Sequence, residues 1–467
     1  MKINKAVSFT GARYLTYGLQ FLRGILFAKM LGPTLFGLWG VITLVQQYLT
    51  YSNFGINYSV NVELSLNENN EKNQSEIVSS GIFLTMLFSA AILLILFLPL
   101  DYKKYLFDGY NIEYLLIPIL LSSVLSNFTI LFSNIFRCYE KLFIIVFDEF
   151  ISILFPFILI FFFTDYALIK YAIWSLFFAK LISLSAYLYY NPVKIIFKIG
   201  LNRILFIIKS GISLLLYNAS FYFIMISGRT IVGVFYSSKE MGLYTLAYNL
   251  ATATFLGLSA TTYVYYPKIL KALEPSKPLE ERINNFCLIE KINNTFVYSI
   301  IFLASCILPF IFIIIPDYTE ILNTLNYLLL SQAILASCLT ANSLLVASHK
   351  QNYVAIGGIL AVSISVIFGV IISQNHLSFN IISLVIFISC VIYFLYVQKM
   401  AFSLLKLHTF SLFDAKIIIP VILFLILNMI NYEKIAGLLA LTTYLIINYR
   451  SLNDTYLSIK RVLFQNI

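Results

Sequence analysis

The sequence predicts an all-α integral membrane protein. Two parallel-related six-helix bundles are followed by two further C-terminal helices, about fourteen transmembrane helices in all. Three observations predict this. Of the 467 residues, 60% are hydrophobic and only 11% charged, with mean hydropathy +0.89, whereas globular chains carry roughly 25% charged residues. Apolar runs long enough to cross a bilayer recur along the whole chain. Small and polar landmarks also recur in the same order in both halves.

The runs fall at 10–31, 37–62, 77–99, 113–136, 143–164, 167–190, 207–236, 241–266, 292–315, 321–347, 352–373, 378–398, 416–431 and 435–449. The last two are short and read either as spans or as a re-entrant pair, with twelve spans as the fallback. The N-terminus "MKINKAVSF" has a basic start but no short apolar region leading to a small-residue cleavage site, so it reads as retained. Taking an even span count with both ends on one side, 21 of the 31 Lys and Arg fall on that side. Five (Lys103, Lys104, Lys170, Lys239, Lys434) fall on the other, and five (Arg13, Arg23, Lys29, Lys180, Arg229) lie inside spans. That bias predicts cytoplasmic N- and C-termini. It also accounts for the net charge of +10 without nucleic acid as a partner. The five cysteines show no metal-like spacing and read as apolar fillers.

The first span, "ARYLTYGLQFLRGILFAKML" (12–31), poses the functional question. Its eight Leu, Ile and Phe return ~4 kcal/mol on insertion, while one central Arg costs ~2.5–3.5 kcal/mol. On a helical wheel Arg13, Thr16, Tyr17, Gln20, Arg23 and Gly24 share one face, with Arg23 near the midplane. In the seventh span Gly211, Leu214, Asn218, Tyr222, Met225 and Arg229 do the same. Span 2 carries Gln46, Gln47, Ser52, Asn53, Asn57 and Asn61, and span 8 carries Asn249, Thr252, Thr254, Thr261 and Thr262. Polar groups in lipid need partners or water, so these faces predict a hydrated central cavity lined by spans 1, 2, 7 and 8. The alternative for the amides is that they knit helices together. Arg13 and Lys29 lie near span ends, where snorkelling is an alternative. Lys180 is deep in span 6 but has no counterpart in the second half. The span cores offer almost no carboxylates as partners, since Glu63, Asp148 and Glu149 fall near cytoplasmic ends. The predicted substrate-binding set is therefore Arg23, Arg229, Arg13, Gln20, Tyr17, Asn57, Asn218, Tyr222 and Lys180.

The repeat is read from Gly37-Leu38-Trp39 over Gly242-Leu243-Tyr244, offset by 205, and from three matches offset by 209. These are Ser122-Ser123 over Ser331-Gln332, Ser133-Asn134 over Asn342-Ser343, and Lys141 over Lys350. Six spans per copy make the copies parallel, an arrangement that places substrate between halves in other transporters. The domain reading is an N-lobe at 1–190, an amphipathic cytoplasmic linker at 191–206, a C-lobe at 207–400, and a C-terminal pair with a cytoplasmic tail at 401–467. The linker "NPVKIIFKIGLNRILFIIK" reads as a helix lying on the inner membrane surface.

Three stretches carry a family resemblance: "AKMLGPTLFGLWG", "YSNFGINYSV" and "SGRTIVGVFYSSKEMGLYTLAYNL". In them the chain resembles the polysaccharide flippases of the multidrug/oligosaccharidyl-lipid/polysaccharide exporter superfamily, the O-antigen and capsule type. The resemblance covers most of the chain. It implies two lobes in a MATE-like V working by alternating access in a bacterial inner membrane. It implies outward movement of an undecaprenyl-pyrophosphate-linked glycan for O-antigen, lipopolysaccharide or capsule assembly, alongside polymerase and other assembly proteins. By position Arg23 and Arg229 match cationic sites of such flippases. Fourteen spans is closer to the lipid II flippase branch.

No enzyme, no cofactor and no metal are predicted: phosphate loops, HExxH, GxSxG and Asp-x-Asp pairs are missing from the sequence. A coupling ion, H⁺ or Na⁺, is compatible with the reading, with no site assigned. The rivals are a lipid II-type flippase, a multidrug antiporter of the same fold, a membrane glycan polymerase or ligase, and a structural scaffold.

Overall fold

The computed structural model describes residues 2–67, 70–97, 113–196, 200–407, 415–430 and 432–464. Among them the regular structure is helical. Nine helices are long and apolar enough to cross a membrane, and three shorter apolar helices join them at Tyr222–Phe235, Lys416–Met429 and Ile435–Tyr449. The protein is a multi-pass membrane protein.

The chain forms two compact units. One comprises Met1–Ala219 with Ser237–Gly242, the other Ser220–Tyr236 with Leu243–Ile467. The division after Ala219 falls inside a helix.

The first unit holds α1 (Lys2–Tyr51), α2 (Ile56–Leu66), α3 (Glu71–Leu93), α4 (Leu116–Cys138), α5 (Leu142–Leu159), α6 (Asp165–Tyr189) and the first half of α7 (Leu201–Phe235). Helix α1 contains the first expected span and the first part of the second, parted at Gly32, whose backbone (φ 64°, ψ 171°) is non-helical. Only glycine adopts that conformation readily, and Pro33 behind it lacks the N–H that would continue the ladder. Apolar packing joins α2, α3, α4 and α6 through Val60, Ile77, Phe132, Phe136 and Tyr187, all essentially inaccessible.

Two expectations fail locally. Span 2 is not one helix: α1 ends at Tyr51, residues 52–55 form a turn, and α2 restarts at Ile56. Nor is the linker helical throughout. Residues 191–196 are irregular, tied down by the Ile196 N–H donating to Ser79 Oγ at 2.8 Å, and α7 begins only at Leu201. Asn191-Pro192 explains the break, because proline disfavours helix in the residue before it.

The second unit contains the rest of α7 with α8 (Ser238–Ala272, from Leu243 onward), α9 (Leu279–Ile307), α10 (Leu322–Ser337), α11 (Leu339–Ala347), α12 (Gln351–Gln374), α13 (Phe379–Leu404), α14 (Ala415–Met429) and α15 (Glu433–Phe464). The C-terminal pair is docked on this unit. Phe302 of α9 packs on Phe424 and Tyr444, with ring centroids 6.1 and 5.5 Å apart. Asn326 Nδ2 donates to Asn428 Oδ1 at 2.8 Å.

The repeat is visible in backbone detail. Glu140 and His349, 209 positions apart, both adopt φ 54°. In each case the next N–H reaches five residues back, Lys141 to the Phe136 carbonyl at 2.9 Å and Lys350 to the Leu345 carbonyl at 2.7 Å. This left-handed ending also closes α12 at His376 and α13 at Lys406, so four of the described helices share it. Side chains repeat too: Gln46 donates to Ser122 Oγ (2.8 Å) in the first unit and Gln332 to Thr252 Oγ1 (3.2 Å) in the second. Each bond ties a unit's second span to its fourth.

Candidate functional site: charges and a broken helix in the first unit

The deep charges of the first unit gather where α1, α5 and α6 meet. Arg13 grips Glu149 with two nitrogens, Nε donating to Oε2 at 3.2 Å and Nη2 to Oε1. Its guanidinium also lies 6.0 Å from the Tyr17 ring. Lys180 Nζ donates to Asp148 Oδ1 at 2.8 Å, and Ser152 Oγ donates to the same oxygen at 3.4 Å. These pairs correct the expectation that Asp148 and Glu149 fall too near the span ends to serve as partners for charges inside the spans. Asp148 and Glu149 stand inside α5, surrounded by Ile and Phe. A wheel drawn for one helix at a time does not show a carboxylate arriving from another. The sequence signal was present as "FDEF" within an apolar run, since ionisable residues in a span mark function or pairing.

Arg23 differs. Its only polar contact among the described residues is Nη1 to the Ser152 carbonyl at 3.4 Å, and no carboxylate lies within ion-pair distance. The cluster thus consists of two neutralised pairs and one surplus guanidinium. A cation held in a membrane helix without a counter-charge is costly, so Arg23 is the group with most to gain from an arriving anion.

The remaining predicted residues are dispersed. Gln20 is exposed and Tyr17 half-buried. Asn57 is buried at the helix break. Tyr222, in the second unit, is 49% exposed. Arg229, also in the second unit, is buried with its guanidinium 4.8 Å from the centre of the Tyr248 ring, a cation–π arrangement. The side chain of Asn218 lies outside the described residues.

The break in span 2 is built by specific contacts. Phe54 and Gly55 have φ 50° and 78°. The Asn53 Oδ1 accepts the Gly55 N–H at 3.0 Å, an Asx turn. Ending a helix frees its last carbonyls: that of Leu49 is taken by Asn127 Nδ2 (3.2 Å) and Ser52 Oγ (2.7 Å). Gly55 also lies against α7, where an added Cβ would meet the Gly211 carbonyl oxygen at 2.1 Å. Ser59 and Ser210 hydroxyls hydrogen-bond one helical turn further on. Beside the break opens a cavity of about 290 Å³ lined by Gln47, Thr50, Tyr51, Asn53, Asn57, Tyr58, Ile130, Asn134 and Leu215. The span-2 amides therefore divide. Gln46 and Asn61 bond to neighbouring helices, Asn61 through Cys138 Sγ at 3.1 Å, while Gln47, Asn53 and Asn57 line the cavity.

Residues 3–273 match the family described as polysaccharide biosynthesis protein. The chain belongs to that family. No match is found among curated proteins. Among solved structures the fold is similar to the lipid II flippase MurJ in an inward closed conformation. The TM-score is 0.73 and the identity 17%, covering 96% of this chain and 99% of that one. It is also similar to a multidrug resistance MATE family transporter of the MOP superfamily. The inward-facing form gives TM-score 0.65 with 13% identity, covering 84% and 95%. The outward-facing form gives 0.62 with 13% identity, covering 86% and 96%. At these identities the likeness establishes the fold: this polysaccharide biosynthesis protein has the architecture of that superfamily.

Proposed function

We propose that the chain is a flippase that carries an undecaprenyl-pyrophosphate-linked oligosaccharide repeat unit from the cytoplasmic to the outer leaflet of a bacterial inner membrane by alternating access. The reading places both termini in the cytoplasm and has fourteen spans. The product serves O-antigen or capsule assembly. The observation that carries this is the surplus guanidinium of Arg23, set beside two balanced ion pairs in a family devoted to polysaccharide biosynthesis. Guanidinium matches phosphate in geometry and charge. A pyrophosphate is the anionic part of a lipid-linked glycan, and the polyprenyl tail can stay in lipid while the head group crosses. Moving one negative charge outward gains ~2.3 kcal/mol per 100 mV in a negative-inside membrane.

In cells, Arg23→Gln and Arg229→Gln stop surface polysaccharide while lipid-linked repeat units accumulate on the inner face. Normal polysaccharide from a well-expressed double variant contradicts the proposal. Mass analysis of the lipid-linked glycan that accumulates without the protein separates a polysaccharide repeat unit from a lipid II-type cargo. A purified protein that moves labelled lipid-linked oligosaccharide without forming glycosidic bonds excludes the polymerase and ligase readings.

A further inference from the structure

The cavity beside the broken span 2 has a chemistry distinct from the charge cluster. No Lys, Arg, His, Asp or Glu lines it. Its walls are amides, a threonine hydroxyl and two tyrosines, closed by Ile130 and Leu215. Two of its amides are 3% and 4% exposed, and each has an atom with no hydrogen-bond partner: Asn53 Nδ2 and Asn57 Oδ1. The Asn53 assignment is fixed by chemistry, because its oxygen must be the atom receiving the Gly55 N–H, leaving the NH₂ as a spare donor. A buried donor and a buried acceptor left unmatched cost free energy that an incoming polar ligand recovers. Irregular backbone inside a membrane is tolerated where it lines a cavity, and interrupted helices form the binding sites of other transporters.

We infer that this cavity is a subsite for one uncharged sugar ring of the cargo. The inference rests on the flippase reading and adds the recognition of the glycan to it. A pyranose hydroxyl is donor and acceptor at once, so its chemistry suits either the spare Asn53 NH₂ or the spare Asn57 oxygen. Tyr51 and Tyr58 supply flat apolar surface with a polar edge. At about 290 Å³ the cavity lies just below the ligand-pocket range of ~300–1,000 Å³, a size for one ring and not an oligosaccharide. A uronate or other charged sugar is disfavoured, because its carboxylate would be buried without a cation.

The test uses full-length protein in nanodiscs and two kinds of probe. One is a short-chain prenyl pyrophosphate. The other is the same lipid carrying a single glucose, galactose, N-acetylglucosamine or glucuronate. The wild type binds at least one neutral glycosylated probe about tenfold more tightly than the bare pyrophosphate, and gains nothing from glucuronate. Asn57→Leu and Asn53→Asp abolish that gain, so that each variant binds neutral glycosylated and bare probes equally. The bare probe also reports that each variant is folded.

If the bare probe binds through Arg23 but no neutral sugar adds affinity, the subsite is refuted and the flippase reading stands. If the gain survives both substitutions, the sugar binds elsewhere and the inference is refuted. If no probe binds, both fall together.

Discussion

Neutralising one member of a deep ion pair separates structure from transport in the first unit. Lys180 Nζ lies 2.8 Å from Asp148 Oδ1, and the two side chains are 17% and 9% exposed. At that distance and an effective dielectric of about 20, the Coulomb attraction is roughly 6 kcal/mol. Removing water from both groups offsets much of this, so the pair contributes little net stability over an apolar replacement. Breaking it is another matter. Asp148→Asn keeps the shape and the Ser152 contact but leaves a buried ammonium unmatched, and the expected loss is ~3–5 kcal/mol. For a protein stable by ~5–15 kcal/mol that is a large fraction.

Lys180→Met leaves the converse charge and gives a loss of similar size. The double variant Asp148→Asn, Lys180→Met recovers most of it, with a coupling of at least ~2 kcal/mol. The assay is equilibrium unfolding of full-length protein in mixed micelles for all four members of the cycle. Additive single losses below ~1 kcal/mol would refute the assignment of Asp148 and Lys180 as a mutually dependent pair, and with it the charge balance drawn for the cluster around Arg23.

Two glycine positions give further tests. Gly55→Ala places a side chain at φ 78° and 2.1 Å from the Gly211 carbonyl oxygen. The left-handed backbone alone costs ~1–2 kcal/mol, and the clash adds to it, so the variant shows a lowered unfolding midpoint that Gly211→Ala does not reproduce in full. Gly37 and Gly242, equivalent in the repeat, pack backbone to backbone: a Cβ on either would lie 1.8 Å from a carbonyl oxygen, of Ser238 or Pro33 respectively. A Thr34→Cys, Ser238→Cys pair, placed where Ser238 Oγ donates to the Thr34 carbonyl at 2.8 Å, therefore cross-links readily. Gly37→Ala or Gly242→Ala in that background suppresses the cross-link, and unchanged yield contradicts the close packing.

Much of the fold is written in composition and period. The Gly37/Gly242 and Lys141/Lys350 alignments rest on short matches, yet they locate a shared glycine contact and helix endings of the same form. Both are local backbone events whose residues announce them. What escapes a linear reading is long-range pairing. Arg13 and Glu149 stand 136 positions apart, and nothing in either helix's own pattern brings them together. The break at 52–55 lay within reach, since "SNFG" is turn chemistry inside an apolar run. Counting its asparagine as cavity lining hid the fact that it also ends the helix. Depth and a place on the polar face of the first span single out Arg23 in the sequence. The structure adds why it differs from Arg13, which is the absence of a carboxylate among the described residues around it.

The most direct test of the central claim is the affinity of full-length wild type, Arg23→Gln and Arg23→Lys for a short-chain prenyl pyrophosphate in nanodiscs, with unfolding midpoints measured alongside. A charge-assisted hydrogen bond of ~1.5–3 kcal/mol predicts a ten- to hundredfold weakening in Arg23→Gln, a smaller one in Arg23→Lys, and midpoints close to wild type. Equal affinity across the three proteins contradicts the claim that Arg23 holds the phosphate.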